Sequence, residues 1–162
     1  KDGVWVIEVN ARLTGMTPII TGLQKSLGQI PFLLLHVLEH MGIEYQLTDE
    51  EIADISQYSW GKDDFSYLVV FNNKSEEKII QQTLLPGVYN SDSEKLSFQH
   101  LGYTLDSLEN EQYLLLDFPP SGTRVVANDH LGRVVTKQAV LDEDGKLRSA
   151  VKKDIEALQE MM

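Results

Sequence analysis

The chain contains no cysteine. Disulfides, thiolate nucleophiles and cysteine-ligated zinc are therefore excluded, and a cytoplasmic home is favoured. Positive charge is scarce: 14 Lys and Arg stand against 25 Asp and Glu, for a net charge of -11 and a pI near 4.7. Affinity for a phosphate backbone rests largely on Lys and Arg displacing counterions, so this balance argues against DNA or RNA as a partner. Long hydrophobic runs are missing as well. The most apolar stretch, residues 30–38, is interrupted by Pro31 and His36 and falls far short of the roughly 20 residues that cross a bilayer. No membrane span is expected. Solenoid repeats, low-complexity runs and coiled-coil heptads are also absent. The chain opens at Lys1 rather than at a methionine, so the lack of a leader carries no weight and the natural amino terminus is expected elsewhere.

The remainder is ordinary globular material. Apolar residues make up 42% and charged residues 24% of 162 positions, enough for one substantial core or two small ones. Residues 4–9, rich in β-branched and aromatic side chains, come directly after Asp2-Gly3, a dipeptide suited to tight hairpin turns, so a strand is expected there. Its hairpin partner would lie upstream, outside these 162 residues. Gly15 and Pro18 mark a loop, a short helix is expected over residues 19–27, and Gly28 breaks it. Phe32, Leu34, Leu35, Leu38 and Met41 recur at helical spacing before Gly42, which predicts a mostly buried helix over residues 30–41 closed by a C′ glycine. Thr48 with Glu51 three residues on forms a capping-box pattern at the start of a helix over residues 49–58.

Beyond the polar stretch 72–77 the period shifts toward two. Strands are expected at residues 67–72, 85–89, 96–100, 112–118, 124–127 and 132–141, with turns at Pro86-Gly87, residues 90–92 and 119–122, and Asn128-Asp129. That pattern implies a small antiparallel sheet or partial barrel. Leu147, Val151, Ile155 and Leu158 form one apolar stripe on a final helix over residues 147–162 that should pack on the sheet. The fold class is thus α+β, divided at residues 1–65 and 66–162.

The stretch from Glu8 to Thr17 carries the chemistry. Residues two apart on a strand face the same way, so Glu8 and Asn10 project together, and Arg12 joins that face if the strand persists. A carboxylate beside an amide oxygen suits a hard cation such as Mg²⁺. A guanidinium there could clamp phosphate oxygens. Gly15 allows close backbone approach, and N-H groups around Gly15, Met16 and Thr17 could bind an anionic group. The plain alternative is that Glu8 and Asn10 are solvated or cap a turn.

The run Glu8-Val9-Asn10-Ala11-Arg12, succeeded by a glycine loop and by a helical stretch ending at Gly42-Ile43, resembles the closing segment of the ATP-grasp fold. The resemblance spans residues 3–45. It implies that residues 1–65 are the carboxy-terminal end of an ATP-grasp domain. It assigns Glu8 and Asn10 to Mg²⁺ held between the phosphates of ATP, Asn10 and Arg12 to the nucleotide, and Arg12 to phosphate or acyl-phosphate contact in catalysis. The order of Glu8, Asn10 and Arg12 resembles that of carboxylate-amine ligases and biotin carboxylase, and Gly15-Met16-Thr17 resembles the substrate-contacting loop of D-alanine:D-alanine ligases. Ala11 stands where many relatives carry Pro or Thr. The implied activity of the parent is ATP-dependent ligation of a carboxylate and an amine through an acyl phosphate, with Mg²⁺ as cofactor. The family's nucleotide-binding lysines, adenine pocket and first acidic metal ligand precede this strand and are absent from the 162 residues, so this chain is expected to be inactive alone. Residues 67 onward resemble, more weakly, the β-rich domain that comes after the ATP-grasp domain in several ligases. Substrate identity is not legible.

A different class of function, a non-catalytic binding or assembly module, is kept beside this one. Apolar surface left by a missing half-domain would also favour self-association. His36 and His40 are one helical turn apart without the H-E-x-x-H pattern, so helix packing explains them better than metal binding. His100 and His130 are isolated. Asp117 could meet Arg124 across the Ser121-Gly122 turn, a structural salt bridge or turn cap rather than a site; Arg133 and Lys137 are expected to share a solvated strand face, and Trp5 and Trp60 to anchor a core or an interface.

Overall fold

The computed structural model describes residues 17–26, 28–57, 65–73, 76–92 and 95–162. The strand expected at residues 4–9, the Asp2-Gly3 turn, Trp5 and Trp60 lie outside them. The chain divides into two compact units, Lys1–Tyr58 and Ser59–Met162. It is mixed α+β, with a mostly antiparallel sheet and a carboxy-terminal helix.

In the first unit, α1 (Thr17–Ser26) buries Ile19, Leu23 and Gln24. Pro18 falls in its first turn, where a missing N-H removes no helical bond. Gly28, at φ +71°, ends it as expected, with Gly28 N-H donating to Lys25 O and Gln29 N-H to Gln24 O. Helix α2 (Phe32–Met41) begins at Pro31, which provides no side-chain cap. The buried Gln24 supplies one from α1: its Oε1 accepts the Phe32 N-H at 3.1 Å, satisfying one of the donors that a helix start leaves open. The other end closes on Gly42 at φ +65°, with Gly42 N-H bonding Glu39 O and Ile43 N-H bonding Leu38 O, a Schellman arrangement.

The burial expected for α2 is not observed. It has no buried residue, and Phe32, Leu34, Val37 and Met41 are exposed, Met41 to 67%. Apolar side chains run almost all the way round this helix, and α1 packs against it from one side. One helix of ten residues cannot by itself cover such a circumference.

Helix α3 (Asp49–Gln57) starts with the reciprocal capping box. Thr48 Oγ1 accepts the Glu51 N-H at 3.2 Å, and Glu51 Oε2 accepts the Thr48 N-H at 2.7 Å. The Thr48 backbone bond, then the Thr48 hydroxyl bond, hold the Glu51 carboxyl below its ordinary pKa. The ionised form is the one that accepts, so its contribution to the helix is present above the ordinary Glu range and is lost as pH falls through the lowered value. We expect amide protection in the first turn of α3 to decline at acid pH in step with the Glu51 carboxyl titration monitored by NMR, and Glu51→Gln to flatten that dependence. Protection indifferent to the titration would contradict the cap's role.

In the second unit, five strands form one antiparallel sheet in the order β1-β7-β5-β3-β4: β1 (Ser66–Phe71), β3 (Gly87–Asp92), β4 (Lys95–Leu101), β5 (Gln112–Leu116) and β7 (His130–Thr136). A two-stranded ribbon pairs β2 (Lys78–Ile79) with β6 (Arg124–Val125). Helix α4 (Ser149–Met161) lies against the sheet, with Val151 and Leu158 buried. The core joins Tyr89, Tyr113, Leu115, Leu131 and Val134 of the sheet to Leu158 of the helix, to Val125 of the ribbon and to Ile80 just after β2.

Boundaries differ from expectation in places with local causes. The turn expected at residues 90–92 is strand: Ser91 pairs with Leu96 and Asp92 with Lys95. Strand β7 stops at Thr136, and Leu141 makes a separate bridge to Leu147. That bridge is closed by a turn in which Asp142 Oδ1 accepts the N-H groups of Asp144 and Lys146. Strand β2 has no signature in the sequence, since two residues carry no measurable period. Gly87 is required by packing rather than by turn chemistry: a Cβ there would sit 2.3 Å from His100 O on β4.

Candidate functional site

Of the residues that the resemblance singles out, Glu8, Asn10, Arg12, Gly15 and Met16 lie outside the described residues. Thr17 lies within them, half-buried as the first residue of α1.

Other polar groups assemble in ways the sequence did not announce. On the helix-facing side of the sheet, Asp154 of α4 accepts from Tyr113 OH through Oδ2 at 2.7 Å and from Ser91 Oγ through Oδ1 at 2.7 Å. Burial first, then the bond to Asp154 and its charge, push the Tyr113 phenol above its ordinary pKa, with Gln138 opposing. The phenol is therefore a donor at any physiological pH. Both carboxylate oxygens are engaged, so the trio clamps α4 to β3 and β5 rather than offering a reactive group. The signal was available: Asp154 interrupts an apolar stripe of Val151, Ile155 and Leu158. In the neighbouring strand β7, Thr136 is fully buried, and its Oγ1 has no hydrogen-bond partner among the described residues.

The meeting of Asp117 with Arg124 does not occur. Asp117 pairs with Arg133 at 2.7 Å, and Arg124 pairs with Glu77. Register explains both. Leu116 faces Arg133 across β5 and β7, which brings the next residue, Asp117, within reach, whereas Arg124 opposes Ile79 and so meets the strand that begins just after Glu77. Arg133 is thus tied to a carboxylate rather than solvated with Lys137, and Lys137 Nζ donates to Leu108 O at 2.7 Å.

His36 and His40 stack edge to face with ring centroids 4.4 Å apart. Glu39 accepts instead from Tyr45 OH at 3.0 Å, a bond that raises the tyrosine pKa. Among the described residues no cluster of three or more His, Asp or Glu could hold a metal ion, and no helix is long and apolar enough to cross a membrane. Described residues also line two depressions. One, broad and open, lies at the carboxy-terminal end of α2 between Glu39, Ile43, Tyr45 and Gln46. The other, about 180 Å³, is set into the second unit beside Asp117 and Phe118.

No family model, no curated protein and no solved structure matches this chain. The functional reading therefore rests on the chemistry of residues 8–17 and on the elements downstream of them.

Proposed function

We propose that this chain is the carboxy-terminal part of an ATP-grasp enzyme. In the parent, Glu8 and Asn10 would hold Mg²⁺ against the phosphates of ATP, Arg12 would contact the phosphate or acyl phosphate, and Gly15, Met16 and Thr17 would meet the substrate. The observation that carries this reading is the run Glu8-Val9-Asn10-Ala11-Arg12 ahead of a glycine-containing loop. The order of the downstream elements supports it: α1 starts at Thr17, α2 closes on Gly42, and a mostly antiparallel β unit comes next. A hard cation beside oxygen ligands neutralises charge on a transferring phosphoryl group, and a guanidinium does the same from the other side. The reaction class is carboxylate-amine ligation through an acyl phosphate, in the cytoplasm.

A longer chain carrying the family's upstream nucleotide-binding region should release ADP or phosphate only when ATP, Mg²⁺, a carboxylate and an amine are all present. The 162 residues alone should release none above background. Turnover by the purified 162-residue chain would refute the assignment of the missing groups to upstream sequence. The second reading, a binding or assembly module, draws on Phe98, Leu101 and Tyr103, which are large, apolar and exposed on and just after β4, one of the two edge strands of the five-stranded sheet.

A further inference from the structure

The smaller depression has the makings of a ligand site that the ligase reading does not use. Its inner walls are apolar and belong to the core: Leu84 and Leu115 are buried, and Phe118 packs against the same cluster. Phe118 lies flat over the backbone of Gly132, where an added Cβ would meet its ring at 2.7 Å. One wall is therefore an aromatic face held close to the sheet by a residue with no side chain. Pro86 and Tyr103 form the rim, and Tyr103 is 65% exposed. The depression is open to solvent on one side, and its volume of about 180 Å³ is of the size that holds one six-membered ring.

One carboxylate lies at the depression, and it is already paired with a cation. Asp117 lines the depression with a left-handed backbone at φ +60°, which Asp and Asn tolerate better than other non-glycine residues. Arg133 Nη1 meets its Oδ2 at 2.7 Å. A carboxylate has about four lone-pair sites, and one guanidinium nitrogen leaves acceptor capacity for a ligand donor. An ammonium makes the strongest such bond, and a chain of net charge -11 attracts cations and repels anions at long range.

We infer that this recess binds a monocyclic aromatic amine, its ring between Phe118, Pro86 and Tyr103 and its ammonium on the Asp117 carboxylate. The same chemistry could arrive as a free amine or as an aromatic residue at a peptide's amino terminus. The test is an NMR titration of the 162-residue chain at neutral pH with phenethylamine, with 3-phenylpropanoate as the charge-reversed control and Phe-Gly-Gly as the peptide probe. Phenethylamine should give saturable shifts confined to residues around Leu84, Tyr103, Leu115 and Phe118, with Kd on the order of 1 mM for so small a ligand. The phenylpropanoate should bind at least about tenfold more weakly. Tighter binding of Phe-Gly-Gly assigns the natural source to a peptide, and weaker binding assigns it to a free amine.

Asp117→Asn keeps a residue that tolerates the left-handed conformation and removes the charge. At about 0.15 M salt, where the field of the remaining charges is largely screened, its spectrum should stay dispersed while the preference for the amine over the acid falls at least about threefold. Tyr103→Ala, at an exposed position, should weaken phenethylamine at least about threefold without altering the fold. The inference is overturned if phenethylamine produces no saturable shift at these residues, if amine and acid bind alike, or if folded Asp117→Asn keeps the full preference at that salt concentration.

Discussion

Leu158→Ala should lower the stability of the Ser59–Met162 unit by about 3 kcal/mol, within the range of roughly 2–5 kcal/mol for emptying a fully buried leucine site. Leu158 is 0% exposed and belongs to the cluster that joins α4 to Tyr113, Leu115, Leu131 and Val134. Alanine is the best helix former, so the substitution leaves the helix's own propensity intact or improved. The loss therefore reads packing alone: the transfer free energy of the removed atoms plus a cavity between helix and sheet. For a unit near 100 residues, about 3 kcal/mol corresponds to a fall of roughly 12–24 °C in Tm. Glu160→Ala, on the exposed side of the same helix, should change stability by less than about 0.5 kcal/mol. Equal effects of the two in thermal or denaturant unfolding would mean that α4 does not dock on the sheet as described.

The same helix shows why part of the fold was legible and part was not. Its apolar stripe at three- and four-residue spacing marks both its existence and its buried face, because burying one side of a helix is what its stability requires. The helix caps were legible for an equally local reason. Thr48 with Glu51, and Gly42 after an apolar run, satisfy backbone groups within a few residues of themselves, and the structure returns both. Strand positions were recovered in outline from alternation, although Leu114 and Leu115 are both fully buried, so β5 reads as a continuous apolar run and not as an alternation.

Partners across the sheet were not legible. Asp117 chose Arg133 over Arg124 because strand order places β7 next to β5 and leaves β6 pairing with β2, and nothing near Asp117 in sequence encodes that order. The Asp154 clamp on Tyr113 and Ser91 is non-local in the same way. Helix α2 misled in the other direction. Hydrophobicity states that a surface prefers cover, but it does not supply the cover, and α2 keeps Leu34, Val37 and Met41 open among the described residues. The expected ligands Glu8, Asn10 and Arg12 were legible only as a pattern of oxygen and guanidinium groups at strand spacing, which is why their test must be chemical.

Glu8→Gln in a parent chain that includes the upstream nucleotide-binding region should reduce kcat/KM for ATP-dependent ligation by on the order of 100-fold or more. A metal that neutralises developing phosphoryl charge is worth several kcal/mol in the transition state, and each 1.36 kcal/mol is tenfold in rate. Glutamine keeps the side chain's size and one oxygen but removes the negative charge that holds a hard dication, so Mg²⁺ occupancy should fall along with its electrostatic contribution. The signature is a higher Mg²⁺ concentration for half-maximal rate, with partial recovery as Mg²⁺ is raised. Arg12→Lys should behave differently. It keeps the charge but loses the planar fork that matches phosphate oxygens, so its rate should fall without a shift in Mg²⁺ dependence. A glutamate that merely caps a turn or faces solvent would leave both rate and metal dependence unchanged, and that outcome for Glu8→Gln would remove the metal role proposed for this strand.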